Sequence, residues 1–269
     1  MSSEPAFRLG IACEDRGHFD IVTFLSDWII VQEVDWIDED ELDTYRCWCG
    51  RYRNTAYYPL KMAKDDFKKA SRDKAERLKM KSGRPIKLHG HINGEPLAPE
   101  ATMVRRILAI FEKCTDVRPD AVFLVRDLDR QPQIRSGFEQ VRNGYTWSFP
   151  VLFAFPDPEI EAWEVIGCEP DGRDGKRCLQ KLKKQLSFDP CKQPHRLTSR
   201  PNDAPTDAKR VQKKLTNNDR NQIKEGLLRY LRKADKKSRP GEACGLDAFL
   251  EEVRSHLIPV FKEYSPKIV

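Results

Sequence analysis

The chain has 269 residues, of which 39% are hydrophobic and 33% charged, and its formal net charge is +6. No apolar run approaches the roughly 20 residues that a bilayer-spanning helix needs, so the composition predicts a soluble globular protein without a membrane partner. The eight cysteines include no CxxC pair, which disfavours a disulfide framework and predicts a reduced, cytoplasmic setting.

Apolar runs predict four strands in the first two thirds of the chain. They are residues 7–13 (FRLGIAC), 85–92 (PIKLHGHI), 121–125 (AVFLV) and 149–156 (FPVLFAFP). The third run is apolar throughout, as a parallel strand covered on both faces would be.

Segments with helical spacing of apolar residues fall between and after these strands. Helices are predicted around residues 21–29, 103–111 and 132–142, and a further helix opens in "DPEIEAWEVIG", with Asp157 as N-cap and Pro158 in the first helical position. The alternation predicts an α/β fold over residues 1–170, with a mainly parallel sheet flanked by helices and an insertion at about 33–85.

Residues 171–269 contain no strand pattern and are predicted to form a basic, mostly helical C-terminal region. Residues 172–240 contain 21 basic and 7 acidic residues, a pattern typical of a surface that binds nucleic acid. A solvated, lysine-rich helical face would give the same pattern. By charge density, the candidates for contacts with a nucleic-acid backbone are Lys176, Arg177, Lys181, Lys183 and Lys184.

Acidic residues follow three of the predicted strands. Glu14 ends the first strand, Asp127 and Asp129 come just after the third, and Glu159 and Glu161 follow the fourth. In an extended segment Asp127 and Asp129 would point to the same side, and the carboxyl ends of parallel strands meet at the edge where ligands bind.

Clustered carboxylates repel one another unless a cation joins them, and such oxygen ligands suit Mg²⁺ or Mn²⁺ together with substrate phosphate. Arg126 and Arg130 could hold a phosphodiester beside that metal. Each acid also has a plain structural interpretation, because Asp favours turns and Glu favours the first turn of a helix.

The ordered acids also carry a family resemblance. A glutamate after the first strand, the DxD of "FLVRDLDR" and the segment "FPDPEIEAW" resemble the TOPRIM domain of topoisomerases, primases and OLD-type nucleases. The last segment is similar to the EIEAW sequence of stand-alone TOPRIM-like proteins, some of which are linked to phage defence and to ATPase partners. The similarity covers roughly residues 7–167, and Asp15 stands where many members have glycine.

The resemblance implies Glu14 as a metal ligand or general acid/base, Asp127 and Asp129 as catalytic metal ligands, and Glu161 with Glu159 as further ligands. The function that follows is a metal-dependent nuclease that hydrolyses DNA or RNA. The alternative is a non-catalytic or partner-activated nucleic-acid-binding subunit of a defence complex with an ATPase.

Three other interpretations receive less support from the sequence: a phosphatase, a zinc site and an ATP-binding protein. A haloacid-dehalogenase-like phosphatase needs its aspartate pair after the first strand, which here ends in "ACED". A Cys2His2 zinc site from Cys47, Cys49, His89 and His91 would have spacings that common zinc fingers lack. No Walker A or GxGxxG loop is present, so any use of ATP would depend on another chain.

Overall fold

The apolar runs of the sequence form the centre of a mainly parallel sheet. The computed structural model describes residues 5–52, 54–69, 90–113, 115, 118–170, 172–201, 203–232 and 239–264. The strands are β1 (Phe7–Cys13), β2 (Arg46–Cys49), β3 (Tyr58–Pro59), β4 (His91–Ile92), β5 (Glu95–Pro96), β6 (Ala121–Val125) and β7 (Val151–Ala154).

The main sheet has the order β2-β1-β6-β7, and β3 also pairs with β1. Strands β2, β3 and β6 all run parallel to β1. The amide of Val122 donates to the carbonyl of Pro150, and the amide of Arg126 donates to that of Ala154. This constant offset makes β7 parallel to β6.

The helices are α1 (Arg16–Glu33), α2 (Leu42–Tyr45), α3 (Ala101–Lys113), α4 (Gln133–Gly144), α5 (Ile160–Glu164), α6 (Gly172–Leu186), α7 (Ala208–Thr216), α8 (Arg220–Arg232), α9 (Leu246–Glu252) and α10 (Ile258–Lys262). A π-helical turn, Val253–Leu257, joins the last two helices. The predicted α/β fold with a mainly parallel sheet, flanking helices and C-terminal helices is confirmed. None of the helices described combines the length and the apolar character needed to cross a bilayer.

Two stretches differ from the elements predicted for them. Strands β2 and β3 lie within the segment interpreted as an insertion at about 33–85, and both belong to the main sheet. Of the predicted strand at 85–92, residues 85–89 lie outside the described residues. Its remainder, β4, pairs antiparallel with β5 in a separate two-stranded sheet.

The chain divides into two compact units, neither of which is one continuous stretch. The first consists of Met1–Val125, Pro132–Phe153 and Glu252–Val269, and the second of Arg126–Gln131 and Ala154–Glu251. The predicted boundary between two domains near residue 170 stays a prediction.

The first unit is built on the sheet and on the end of the chain. Gly10 of β1 faces α3 so closely that a Cβ there would lie 2.9 Å from Cε1 of Phe111. The ring centroid of Phe261 in α10 lies 4.1 Å from that of Phe7. Arg254 donates to Glu33 at 2.7 Å, so the C-terminal helices also hold α1.

The second unit has its own apolar core among the helices that follow β7. Leu182 and Leu186 of α6 pack with Val211 and Leu215 of α7. Trp163 of α5 is fully buried, and its indole N–H donates to the carbonyl of Cys244 at 2.7 Å. The indole stacks on Phe249 of α9, so it holds that helix to α5.

Candidate metal centre

The site begins where β1 and β6 end side by side. Ala12 pairs with Leu124 in the parallel register of these strands, so both strands end at the same edge of the sheet. Glu14 comes two residues after Ala12, and Asp127 comes three residues after Leu124. Strand register therefore accounts for the nearness of two acids that are far apart in sequence.

Glu14, His18 and Asp127 form a cluster that could hold a metal ion. Each of the three residues offers one ligand atom, and these atoms all lie within 4.8 Å of one another. His18 is 2% exposed and Asp127 6%, whereas Glu14 is half-buried. The cluster contains Glu14 and Asp127 of the predicted site, and His18 is an addition to them.

His18 is held by the residue that starts helix α1. Asp15 is the N-cap, and its Oδ1 accepts from the backbone amide of His18 at 3.2 Å. The same oxygen lies 2.9 Å from Nδ1 of the His18 ring. That hydrogen bond is the largest cause that lowers the pKa of Asp15 well below its usual range. Asp15 has a φ of −151°, which is extended backbone, so this position does not require glycine.

The backbone of the DxD segment leaves the extended conformation after β6. The amides of Leu128 and Asp129 donate to the carbonyls of Pro156 and Pro158, both at 2.9 Å. Asp129 has a φ of 48°, so the chain is no longer extended there and the strict alternation expected for Asp127 and Asp129 fails. Asp127 belongs to the cluster, and Asp129 does not.

Glu159 and Glu161 form a second acidic group at the start of α5, close to Lys209. The helix begins at Ile160 with Glu159 as its N-cap, so the prediction of Asp157 as N-cap is wrong. Nζ of Lys209 lies 3.3 Å from Oε2 of Glu159. Oε1 of Glu159 and Oε2 of Glu161 are buried without a hydrogen-bond partner among the residues described.

Burial and like charge control the ionisation of this acidic group. Burial raises the pKa of Glu161 to about 8, and the charge of Glu159 adds to the shift. The pKa of Glu159 is raised first by burial, with further upward effects from Asp127 and Asp207. Burial opposes the charge of Lys209, but Glu161, Glu159 and Asp127 together raise its pKa. Glu161 therefore keeps its proton at neutral pH, and Lys209 is the cation that pairs with Glu159.

The predicted nucleic-acid contacts fall into two sets. Arg126, which directly precedes Asp127 in the sequence, is half-buried. The guanidinium of Arg130 donates to the carbonyl of Leu197 at 2.7 Å. On α6, Lys183 pairs with Asp189 at 2.6 Å. The other four candidates on this helix are exposed: Lys176, Arg177, Lys181 and Lys184.

The basic residues of α6 form a continuous face. Lys176, Arg177, Lys181 and Lys184 have spacings that put them on one side of a helix, and Leu182 and Leu186 are buried on the other side. The helix is thus anchored in the second unit by its apolar side. Its exposed side, made of these four residues, is called the α6 basic face.

His18 and Lys209 belong to the site but were not predicted from the sequence. A usable signal existed for His18, because an Asp directly before a helical pattern is a standard N-cap and the residue three positions on lies in the same turn. Lys209 had no such signal. For the weaker zinc alternative, Cys47 and Cys49 are half-buried, and His89 lies outside the described residues.

The donor set fits a divalent cation. Two carboxylates and an imidazole supply oxygen and nitrogen ligands, and the histidine has the carboxylate partner typical of metal-binding histidines. The buried oxygens of Glu159 and Glu161 without hydrogen bonds are further groups that a cation would stabilise. The cluster of Glu14, His18 and Asp127 can therefore hold a divalent ion.

Comparison of the chain with protein-family models, with curated proteins and with solved structures gives no match. The similarity to TOPRIM domains accordingly depends on Glu14, Asp127, Asp129 and the EIEAW segment. Membership of that family stays a prediction.

Proposed function

We propose that this chain is a metal-dependent phosphodiesterase that cleaves DNA or RNA, a nuclease of the TOPRIM type that acts in phage defence. The observation that carries the proposal is the close approach of ligand atoms from Glu14, His18 and Asp127. Mg²⁺ or Mn²⁺ is the proposed cofactor, with Glu159 and Glu161 as additional acidic groups. A divalent ion bound here would activate water and stabilise charge on the leaving oxygen.

Other roles, which are retention of the cation and contact with the substrate, would fall to residues of the chain. Glu14 and Asp127 supply negative charge that retains the cation. The side chain of Lys209 is 64% exposed and stays protonated because three nearby acids raise its pKa. Its ammonium group is therefore available to contact a phosphate oxygen of the substrate.

The α6 basic face would bind the nucleic-acid backbone. Its side chains are exposed cations, and α6 packs on α7, the helix near whose start Lys209 lies. Such contacts read phosphate rather than base sequence. Arg126 and Arg130 are proposed as further phosphate contacts, although Arg130 also holds the backbone at Leu197.

The test is the substitution Asp127→Asn, which keeps the shape of the side chain and removes its charge. We expect loss of Mn²⁺- or Mg²⁺-dependent cleavage of labelled DNA and RNA by at least about 100-fold, because one of three ligands is lost. Binding of the same substrates in EDTA should stay within about twofold. The double variant Asp127→Ala/Asp129→Ala should be equally inactive.

The matched control is Asp65→Asn, because Asp65 is an exposed acid outside the cluster. Unchanged cleavage in Asp127→Asn would reject the site. If the wild-type chain binds nucleic acid but never cleaves it with either metal, the alternative of a partner-activated or non-catalytic subunit replaces the enzyme. Co-purification with an ATPase would then be the next measurement.

A further inference from the structure

We propose that His18 makes this centre selective for a first-row transition metal, Mn²⁺ in particular, over Mg²⁺, with Asp15 as its positioning residue. The inference depends on the metal centre of the proposed function but not on nuclease activity. The observation behind it is an imidazole among the ligand atoms of Glu14, His18 and Asp127.

The ligand chemistry distinguishes the two ions. Mg²⁺ is a hard cation that prefers near-octahedral oxygen ligands and keeps several of its waters. Imidazole nitrogen is a better ligand for first-row transition metals, and their affinity for mixed nitrogen and oxygen sites follows ligand type and geometry. The nitrogen ligand therefore favours Mn²⁺ over Mg²⁺.

The geometry around His18 fits a ligand rather than a surface histidine. The ring is 2% exposed, so it is fixed by packing inside the structure. Nδ1 lies 2.9 Å from Oδ1 of Asp15. When Nδ1 carries the proton and donates it to Asp15, Nε2 presents a lone pair. A carboxylate partner of this kind fixes the tautomer and increases the basicity of a metal-binding histidine.

Asp15 is itself held in place by the start of helix α1. Its Oδ1 accepts from the backbone amide of His18 as well as from the ring, so helix capping and ring orientation depend on the same carboxylate. A purely structural role for the pair would require only the cap. It would not require His18 to share a 4.8 Å cluster with Glu14 and Asp127.

The experiment measures metal binding by the full chain after removal of metal with EDTA. Isothermal titration with Mn²⁺ and Mg²⁺ gives the ratio of affinities, and pulsed electron paramagnetic resonance of bound Mn²⁺ detects coupling to a ligand ¹⁴N nucleus. We expect wild-type protein to bind Mn²⁺ at least about tenfold more tightly than Mg²⁺ and to give the ¹⁴N signal.

Three variants separate the roles of the residues. His18→Gln should lose the ¹⁴N signal and most of the preference for Mn²⁺, and His18→Glu should reverse the preference towards Mg²⁺. Asp15→Asn should keep the ¹⁴N signal but weaken Mn²⁺ binding by about 10–100-fold. His195→Gln is the control, because His195 is exposed and should leave both readings unchanged.

The outcomes keep this inference distinct from the proposed nuclease. Mn²⁺ binding with ¹⁴N coupling but no cleavage would support the ligand role of His18 and reject the nuclease. Cleavage with Mg²⁺ and Mn²⁺ alike, without ¹⁴N coupling in the wild-type protein, would reject the role of His18 and leave the nuclease standing. An unchanged affinity ratio in a folded His18→Gln variant would also overturn the inference.

Discussion

Glu161 shows how the environment of a single carboxyl links stability to pH. Burial and the charge of Glu159 raise its pKa from 4.5 to about 8. Between these values the folded chain holds a proton that the unfolded chain has released, so the free energy of unfolding falls as pH rises through this window. One such group contributes a slope of at most about 1.4 kcal/mol per pH unit.

We therefore expect Glu161→Gln to reduce the loss of stability on going from about pH 5 to about pH 8, because the amide does not ionise. Urea unfolding in EDTA at several pH values measures the effect. Glu225→Gln, which changes an exposed glutamate, is the control and should match the wild type. Parallel pH profiles of wild type and Glu161→Gln would contradict the assignment.

For individual residues, the sequence was sufficient to predict which acids lie at the ends of the strands. It was not sufficient to predict which residues contact them. Glu14 and Asp127 follow apolar runs, and parallel pairing brings the ends of such runs to one edge. Asp129 could not be placed, because its left-handed backbone depends on hydrogen bonding to Pro158. Lys209 approaches Glu159 from a helix 50 residues further along the chain, and no local pattern reports such a contact.

At the scale of elements, continuous apolar runs were predicted well and short polar strands were not. Strand β6 has the exact span of its apolar run, whereas β2, with the sequence RCWC, is half-buried and has no apolar run to mark it. Helix α5 starts later than predicted because the amide of Asp157 donates to the carbonyl of Cys244 and Glu159 is extended. The contact with Cys244 lies outside the local sequence.

The α6 basic face is expected to make nucleic-acid binding depend on salt. The triple variant Lys176→Gln/Lys181→Gln/Lys184→Gln removes three exposed charges and leaves Leu182 and Leu186 in place. Each lost phosphate contact lowers the magnitude of the slope of log K against log salt by about 0.9 for duplex DNA. We expect a decrease of up to about 2.7, measured by fluorescence anisotropy between about 50 and 200 mM salt.

The control for this experiment is Lys61→Gln/Lys64→Gln/Lys68→Gln, which removes the same charge from three exposed lysines in the first unit. A general effect of net charge would change both triple variants equally. Equal salt slopes in the two variants would therefore show that α6 is only a solvated helical face.

At the scale of the whole chain, sequence order and structural units do not coincide. The first unit takes its last elements from residues after 252, although these residues were predicted as part of a C-terminal region beginning at 171. Periodicity identifies a helix and its apolar face, but it does not say which apolar surface that face will cover. Here Phe261 covers Phe7 on β1, at the opposite end of the sequence.

Because Phe261 packs on Phe7 of β1, we expect Phe261 to stabilise the first unit. Phe261 is fully buried, and replacing a buried Phe with Ala typically costs about 3–5 kcal/mol, because apolar contact is lost and a cavity remains. We expect Phe261→Ala to lower the free energy of opening of β1 by about that amount, measured by hydrogen exchange of peptides covering Phe7–Cys13. Lys262→Ala changes the exposed neighbour and should leave that exchange unaltered. Equal protection of β1 in both variants would mean that the sheet does not depend on the C-terminal helices for its stability.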